Sequence, residues 1–226
     1  MAVQILAHRA NLVGPDRPAE NSLAACRASL GQGFGLEIDL RRAPDGRFYI
    51  SHDPAPLTDE NALDAYSALF REYPGLPLAV NVKELGYEEA LIDLQHSGVF
   101  GLAGFYFDFE LLEPQSPGRT QRLMQKLSQG LPVRLASRLS DRQESLEQCL
   151  AIPAQYVWAD EFDSLWLAAG DIEAVHRAGR QVYAISPELH GFDATKRRGR
   201  WAQFKAWGID GLCTDYALEA RHFFTK

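Results

Sequence analysis

The chain lacks any apolar stretch approaching the roughly 18 residues that span a bilayer. Its start, Met1-Ala2-Val3-Gln4-Ile5, has no basic segment leading into a long apolar core. Neither a spanning helix nor a secretory leader is therefore expected. Cysteine is scarce: Cys26, Cys149 and Cys213 are odd in number and widely spaced. That argues against a disulfide framework and for reduced, mostly buried thiols. A cytoplasmic protein with no stable membrane insertion is expected. A dominant charge sign is missing too, since 23 basic and 30 acidic residues are mixed along the chain for a net charge of −7. That leaves no broad nucleic-acid surface, and the local cluster Lys196-Arg197-Arg198-Gly199-Arg200 reads as a solvated helix start. No repeat, low-complexity tract or linker marks a second domain, so residues 1–226 are expected to form a single domain.

What the chain does contain is a regular alternation of short apolar runs and longer amphipathic stretches. The runs predict strands at 3–7, 35–40, 47–51, 77–82, 104–108, 132–136, 155–159, 181–185 and 210–214. Helices are predicted between them at 21–32, 60–71, 86–97, 119–129, 141–149, 164–178 and 196–207. This spacing argues for parallel βαβ units, and the repeat number suggests a closed (β/α)8 TIM barrel with short loops rather than a doubly wound sheet. Asn21 or Ser22 is available to cap the first helix, and Gly31-Gln32-Gly33 would end it. Pro44-Asp45-Gly46 is a turn signature, with 47–51 as an extension after the second strand.

In such a barrel the active site lies at the C-terminal ends of the strands. His8, Glu37, Asp39, Asn81, Lys83, Asp108, Asp160 and Asp215 all fall there. Alternate residues on a strand share a face, so Glu37 and Asp39 can hold one hard cation. His8 and His52 beside it could act as general base and general acid in phosphoryl or acyl chemistry. Plainer roles remain open. Glu37 and Asp39 could pair with Arg41 and Arg42, Lys83 with Glu84 or Glu88, His52-Asp53 could form a turn, and Asp215 could cap the last turn. His96, His176, His190 and His222 have no comparable setting and read as structural or surface residues.

Taken in order, Ala7-His8-Arg9, Glu20-Asn21-Ser22, Glu37-Ile38-Asp39, Asp45-Gly46 and His52-Asp53 resemble the glycerophosphodiester phosphodiesterase family. Gly208-Ile209-Asp210-Gly211-Leu212-Cys213-Thr214-Asp215 is similar to that family's final strand. The resemblance implies a TIM barrel that hydrolyses phosphodiesters with Mg²⁺ or Ca²⁺. It implies that His8 and His52 act as base and acid, and that Glu37 and Asp39 hold the metal. Arg9 and Lys83 are then the natural phosphate contacts, Arg9 being able to bind as a fork.

Three departures from that pattern matter. The third metal-binding glutamate is replaced by Asn81, in Asn81-Val82-Lys83, which keeps an oxygen ligand but removes a charge. Glu188 or Asp108 could restore it. Ala10 and Ala217 stand where the family has glycine and proline. Only residues 53–80, 28 in all, separate His52 from Asn81, too few for the insertion that covers glycerol in typical members. An open groove suited to a larger, even glycan-linked, phosphodiester is expected. Phe107, Trp158, Trp166 and Tyr216 are candidates to line it, and Ser186–Gly191 forms a loop placed to touch phosphate. A lyase that yields a cyclic phosphate and a barrel that binds a phosphorylated ligand without turnover remain alternatives. Oligomeric state is not legible in the sequence.

Overall fold

In the computed structural model, which describes residues 2–142 and 144–225, eight parallel strands close into a barrel with helices outside. The elements run β1 (Gln4–His8), α1 (Leu23–Gly31), β2 (Gly35–Arg42), β3 (Phe48–Ile50), α2 (Leu63–Glu72), β4 (Leu78–Val82), α3 (Glu88–His96) and β5 (Gly104–Phe107). They continue with α4 (Phe109–Leu112), α5 (Arg119–Leu127), β6 (Ala136–Ser140), α6 (Leu146–Ala151), β7 (Tyr156–Asp160), α7 (Ala169–Arg177), β8 (Gln181–Ile185), α8 (Ala194–Trp207), β9 (Gly211–Thr214) and α9 (Ala217–Thr225). Pairing runs β5-β4-β2-β1-β9-β8-β7-β6, and β3 folds back antiparallel on β2. The ring closes between β5 and β6 through the bridge Tyr106↔Leu135. The barrel is therefore the predicted one, with 47–51 as a hairpin arm.

Strand alternation separates two cores. Residues facing the helices, among them Ile38, Leu40, Val80, Val157 and Leu212, join the outer apolar layer. Inward-facing Leu6, Ala79, Phe105, Phe107, Ala136, Trp158, Tyr183, Ile185 and Cys213 fill the barrel. Helices contribute one stripe each. In α2 the buried residues are Leu63, Tyr66, Leu69 and Phe70, at the spacing that keeps one face on the barrel. Cys26, Cys149 and Cys213 are free and buried, as expected. No helix of the described residues is long and apolar enough to cross a membrane.

The structure moves several predicted boundaries. The first helix begins at Leu23, with Ser22 Oγ accepting Ala25 N–H as its cap. Asn21 lies outside the helix in the left-handed region (φ 59°), a conformation asparagine tolerates, and its side chain serves the site instead. The sixth strand is Ala136–Ser140 rather than 132–136, because pairing with β7 sets its register from Ala136↔Tyr156 onward. The apolar run before it packs Val133 and Leu135 without forming the strand proper. α9 was not predicted. The Lys196–Arg200 cluster lies in the first turns of α8 with Lys196 and Arg198 exposed, as expected, but Arg197 and Arg200 are buried and paired to Glu219 and Glu161.

Glu110 on α4 is a buried carboxyl that bears on stability. Oε1 accepts Gln121 Nε2 (2.7 Å) and Arg138 N–H (3.1 Å), while Oε2 has no partner. Burial pushes its pKa up to about 7. The folded state thus retains a proton that the unfolded chain loses near 4.5, and stability falls as pH rises between those values. Glu110→Gln imitates the protonated form. It is expected to raise stability at pH 8 by on the order of 3 kcal/mol and to change little at pH 4. Urea unfolding at both pH values checks this, and an unchanged pH dependence would count against it.

Candidate active site

The turn after β1 builds the first half of the site. Arg9 and Ala10 both take positive φ (48° and 67°), a conformation costing non-glycine residues about 1–2 kcal/mol each. The turn is closed by Ala10 N–H to Ala7 O (3.1 Å) and Asn11 N–H to His8 O (2.9 Å). It aims Arg9 N–H at Glu37 Oε2 (3.2 Å). The register places His8 beside Glu37 and Asp39 beside Asn81. His8 Nε2 lies 3.9 Å from Glu37 Oε2, and His8 Nδ1 is hydrogen-bonded to Asp215 Oδ1 at 2.7 Å. Asp215 also accepts Asn11 Nδ2 (2.9 Å), so it orients the imidazole rather than merely capping a turn.

Glu37 and Asp39 face inward together, as alternation required, and neither pairs with Arg41 or Arg42. Asp39 is fully buried. Lys83 Nζ lies 2.7 Å from its Oδ1 as an ion pair without directed hydrogen-bond geometry. Arg9 Nε stands 3.2 Å from Oδ2, which also accepts Asn21 Nδ2 at 2.8 Å. Lys83 thus serves Asp39, not Glu84 or Glu88. Arg41 anchors the opposite loop: its Nε (3.0 Å) and one terminal nitrogen (2.6 Å) donate to the His52 carbonyl, and it pairs with Glu84. His52 is half-exposed above the mouth, with Nδ1 3.0 Å from Asp53 Oδ1.

These contacts set the electrostatics. Burial would lower the His8 pKa, but the Asp215 hydrogen bond and the Glu37 charge outweigh it and raise the value. Burial, aided by the neighbouring Asp39 charge, pushes Glu37 up to about 7. Burial would also raise Asp39, yet Lys83 and Arg9 hold it below the usual carboxylate range. Partial burial and the nearby Arg9 guanidinium lower His52.

One cavity of about 260 Å³ at the barrel mouth is lined by His8, Arg9, Glu37, His52, Asn81 and Lys83. Asp39 is covered behind them. Phe107 and Trp158 also line it, as do Leu189 and His190 of the 186–191 loop. Trp166 and Tyr216 do not. Trp166 donates Nε1–H to Asp160 O (3.1 Å), and Tyr216 lies under the Arg197 guanidinium at 3.9 Å. A second hollow of about 360 Å³, lined by Arg17, Glu20, Ser51 and Asp53, shares Arg9 and His52 with the mouth and extends it into an open groove.

Asn81 has no carboxylate substitute. Glu188 is consumed by Thr214 Oγ1, Ser186 Oγ and Asp215 N–H. Asp108 is paired to Arg138. Among the described residues no three His, Cys, Asp or Glu side chains converge on a metal position. The oxygens of Glu37, Asp39 and Asn81, together with the Asp39 Oδ1 that lacks a directed donor, still suit a hard cation taking its other ligands from water and phosphate.

On the far half of the mouth Asp108 and Asp160 lie at the rim as expected, whereas Arg138 and the role of His190 were not legible. Arg138 on β6 pairs with Asp108 and with Asp160 (2.7 Å), and His190 Nε2 bonds to Asp160 Oδ1. His190 therefore lines the cavity and is not the surface or structural residue expected. His176 does fit that expectation, bonded to Asp210 (2.9 Å) beside the β8–β9 strand starts.

No protein-family model and no curated protein matches the chain. Solved structures do. A protein from Galdieria sulphuraria named as a candidate glycerophosphodiester phosphodiesterase superposes with a TM-score of 0.76 at 17% identity, over 100% of this chain and 99% of that one. A glycerophosphodiester phosphodiesterase from Agrobacterium tumefaciens gives 0.69 at 21% identity, over 99% and 100%. A barrel of another kind, 3-hexulose-6-phosphate synthase, covers equally well but reaches only 0.55 at 12% identity. The chain shares its barrel fold with glycerophosphodiester phosphodiesterases, end to end.

Proposed function

We propose that this protein is a member of the glycerophosphodiester phosphodiesterase family and hydrolyses a phosphodiester at the mouth of its barrel. The observation that carries this reading is the convergence of His8, His52, Arg9 and Lys83 on one cavity. A phosphodiester needs a proton removed from the attacking oxygen and one delivered to the departing oxygen, and two imidazoles facing one site meet both needs. Asp215 fixes the ring orientation of His8, and Arg41 fixes the loop that carries His52. Arg9 and Lys83 supply preorganised positive charge for the phosphoryl oxygens. Glu37, Asp39 and Asn81 would hold Mg²⁺ or Ca²⁺, which when bound adds charge stabilisation at those oxygens. A small-molecule or glycan-linked diester fits the open groove better than a nucleic acid does.

The ion pair between Lys83 and Asp39, with the neutral Asn81 beside it, favours a second reading. In it the barrel holds a phosphorylated ligand without turnover. Purified protein assayed on bis(p-nitrophenyl) phosphate and glycerophosphodiesters, with Mg²⁺, Ca²⁺ or chelator, separates the two. Turnover that releases a monoester supports the hydrolase. Tight phosphate-ester binding with no turnover under any condition overturns it, and accumulation of a cyclic phosphate reassigns it as a lyase.

A further inference from the structure

Opposite the His8 and His52 half, the mouth carries a second polar cluster, supplied by the ends of four other strands. Asp108 follows β5, Arg138 lies on β6, Asp160 ends β7 and His190 follows β8. All four line the cavity. Arg138 is 2% exposed and bridges the two carboxylates, and Asp160 holds His190 through Nε2.

The cluster is costly to build. It buries a cation and two carboxylates where apolar side chains of similar volume would be no less stable. Asp108 takes positive φ (73°), a strained conformation that holds its carboxylate at the mouth. The network also stops short of satisfying itself. Arg138 Nε is buried without a partner, and neither Asp108 Oδ2 nor His190 Nδ1 has a hydrogen-bond partner among the described residues. An acceptor oxygen and an imidazole nitrogen are thus left over beside an apolar wall of Phe107, Trp158 and Ile185, while Arg138 Nε itself is covered.

A hydroxyl group both donates and accepts, and a sugar ring combines an edge of hydroxyls with an apolar C–H face. The geometry points to a subsite that binds the sugar substituent of a phosphodiester, with His190, positioned by Asp160, as a specificity-determining residue. This inference rests on the phosphodiesterase reading above and names the alcohol that the reading leaves open. Arg138 meanwhile ties β5, β6 and β7 together at the seam closed by the single Tyr106↔Leu135 bridge, so the clasp alone would be structural. His190 hangs from that clasp on one hydrogen bond and packs on the Phe162 ring (4.6 Å), so a phenylalanine in its place keeps the packing and removes the bond without opening the clasp.

The test uses three diesters of p-nitrophenyl phosphate that differ only in the second substituent: glucose through O6, glycerol and propyl. For the native protein kcat/KM is expected to favour the glucose diester over the propyl one by about 100-fold, the effect of one or two hydrogen bonds to charged groups. Glycerol should fall between them. In His190→Phe the glucose-to-propyl ratio should drop at least tenfold, and His190→Gln should restore part of it. An unchanged ratio in both variants, a native ratio near one, or a glycerol diester equal to the glucose diester overturns the inference. If no diester is turned over, the phosphodiesterase reading fails separately. Calorimetric titration with glucose 6-phosphate and propyl phosphate then decides the subsite, equal affinities sinking it. Melting curves identify a variant that fails to fold, in which case Asp160→Asn reads the same ratio.

Discussion

His8→Ala and His52→Ala are each expected to lower kcat/KM for a phosphodiester by about 10²–10⁴-fold while leaving the barrel folded. Neither side chain carries the fold. His52 is half-exposed on a loop whose carbonyl, not its ring, is gripped by Arg41. His8 sits at the end of β1, above the apolar interior to which Leu6 belongs. For the intact protein the pH–rate profile should be bell-shaped. Its acid limb belongs to His52, lowered by burial and by Arg9, and its alkaline limb to His8, raised by Asp215 and Glu37 against burial, which makes His52 the base and His8 the acid, the reverse of the order that the family resemblance implies. Asp215→Asn should bring the alkaline limb down, because the hydrogen bond that raises His8 loses its charge. Circular dichroism and steady-state rates across pH read all three variants. Near-normal turnover in His8→Ala, with the fold intact, would end the acid–base assignment.

How much of this was readable beforehand follows from which contacts are local. The Glu37–Asp39 pair was legible because alternation along one strand is a property of two residues and the backbone between them. The placement of His8, Asn81 and Lys83 at strand ends followed from counting βαβ units. Arg138 escaped because β6, Ala-Ser-Arg-Leu-Ser, is polar at three of five positions yet wholly buried. Its burial is decided by Asp108 and Asp160 on neighbouring strands, and no window of sequence contains both. The more apolar run at 132–136 therefore drew the strand four residues too early. His190 escaped for the same reason, since its partner Asp160 is 30 residues away. Arg41 was considered only as an ion-pair partner within β2, whereas its guanidinium reaches a backbone carbonyl on the next loop, a contact that leaves no side-chain signature.

Asn81→Glu is expected to tighten divalent-cation binding by at least tenfold. Asn81 pairs in register with Asp39 across β2 and β4, so a carboxylate at 81 would face the same interior position. Hard cations gain affinity as neutral oxygen ligands are replaced by charged ones. The present charge balance opposes loading: Lys83 and Arg9 both lean on Asp39, and only Glu37 and Asn81 of the three oxygen donors line the cavity. An added carboxylate would give Lys83 a second partner and weaken its hold on Asp39. Calorimetric titration of the native protein and the variant with Mg²⁺ and with Ca²⁺, without substrate, reads the effect apart from catalysis. Lys83→Met should move affinity in the same direction by removing the competing ammonium, while its turnover falls because a phosphate contact is lost. If neither variant gains cation affinity, these oxygens do not form a metal site, and the charge at the phosphoryl group must come from Arg9 and Lys83 alone.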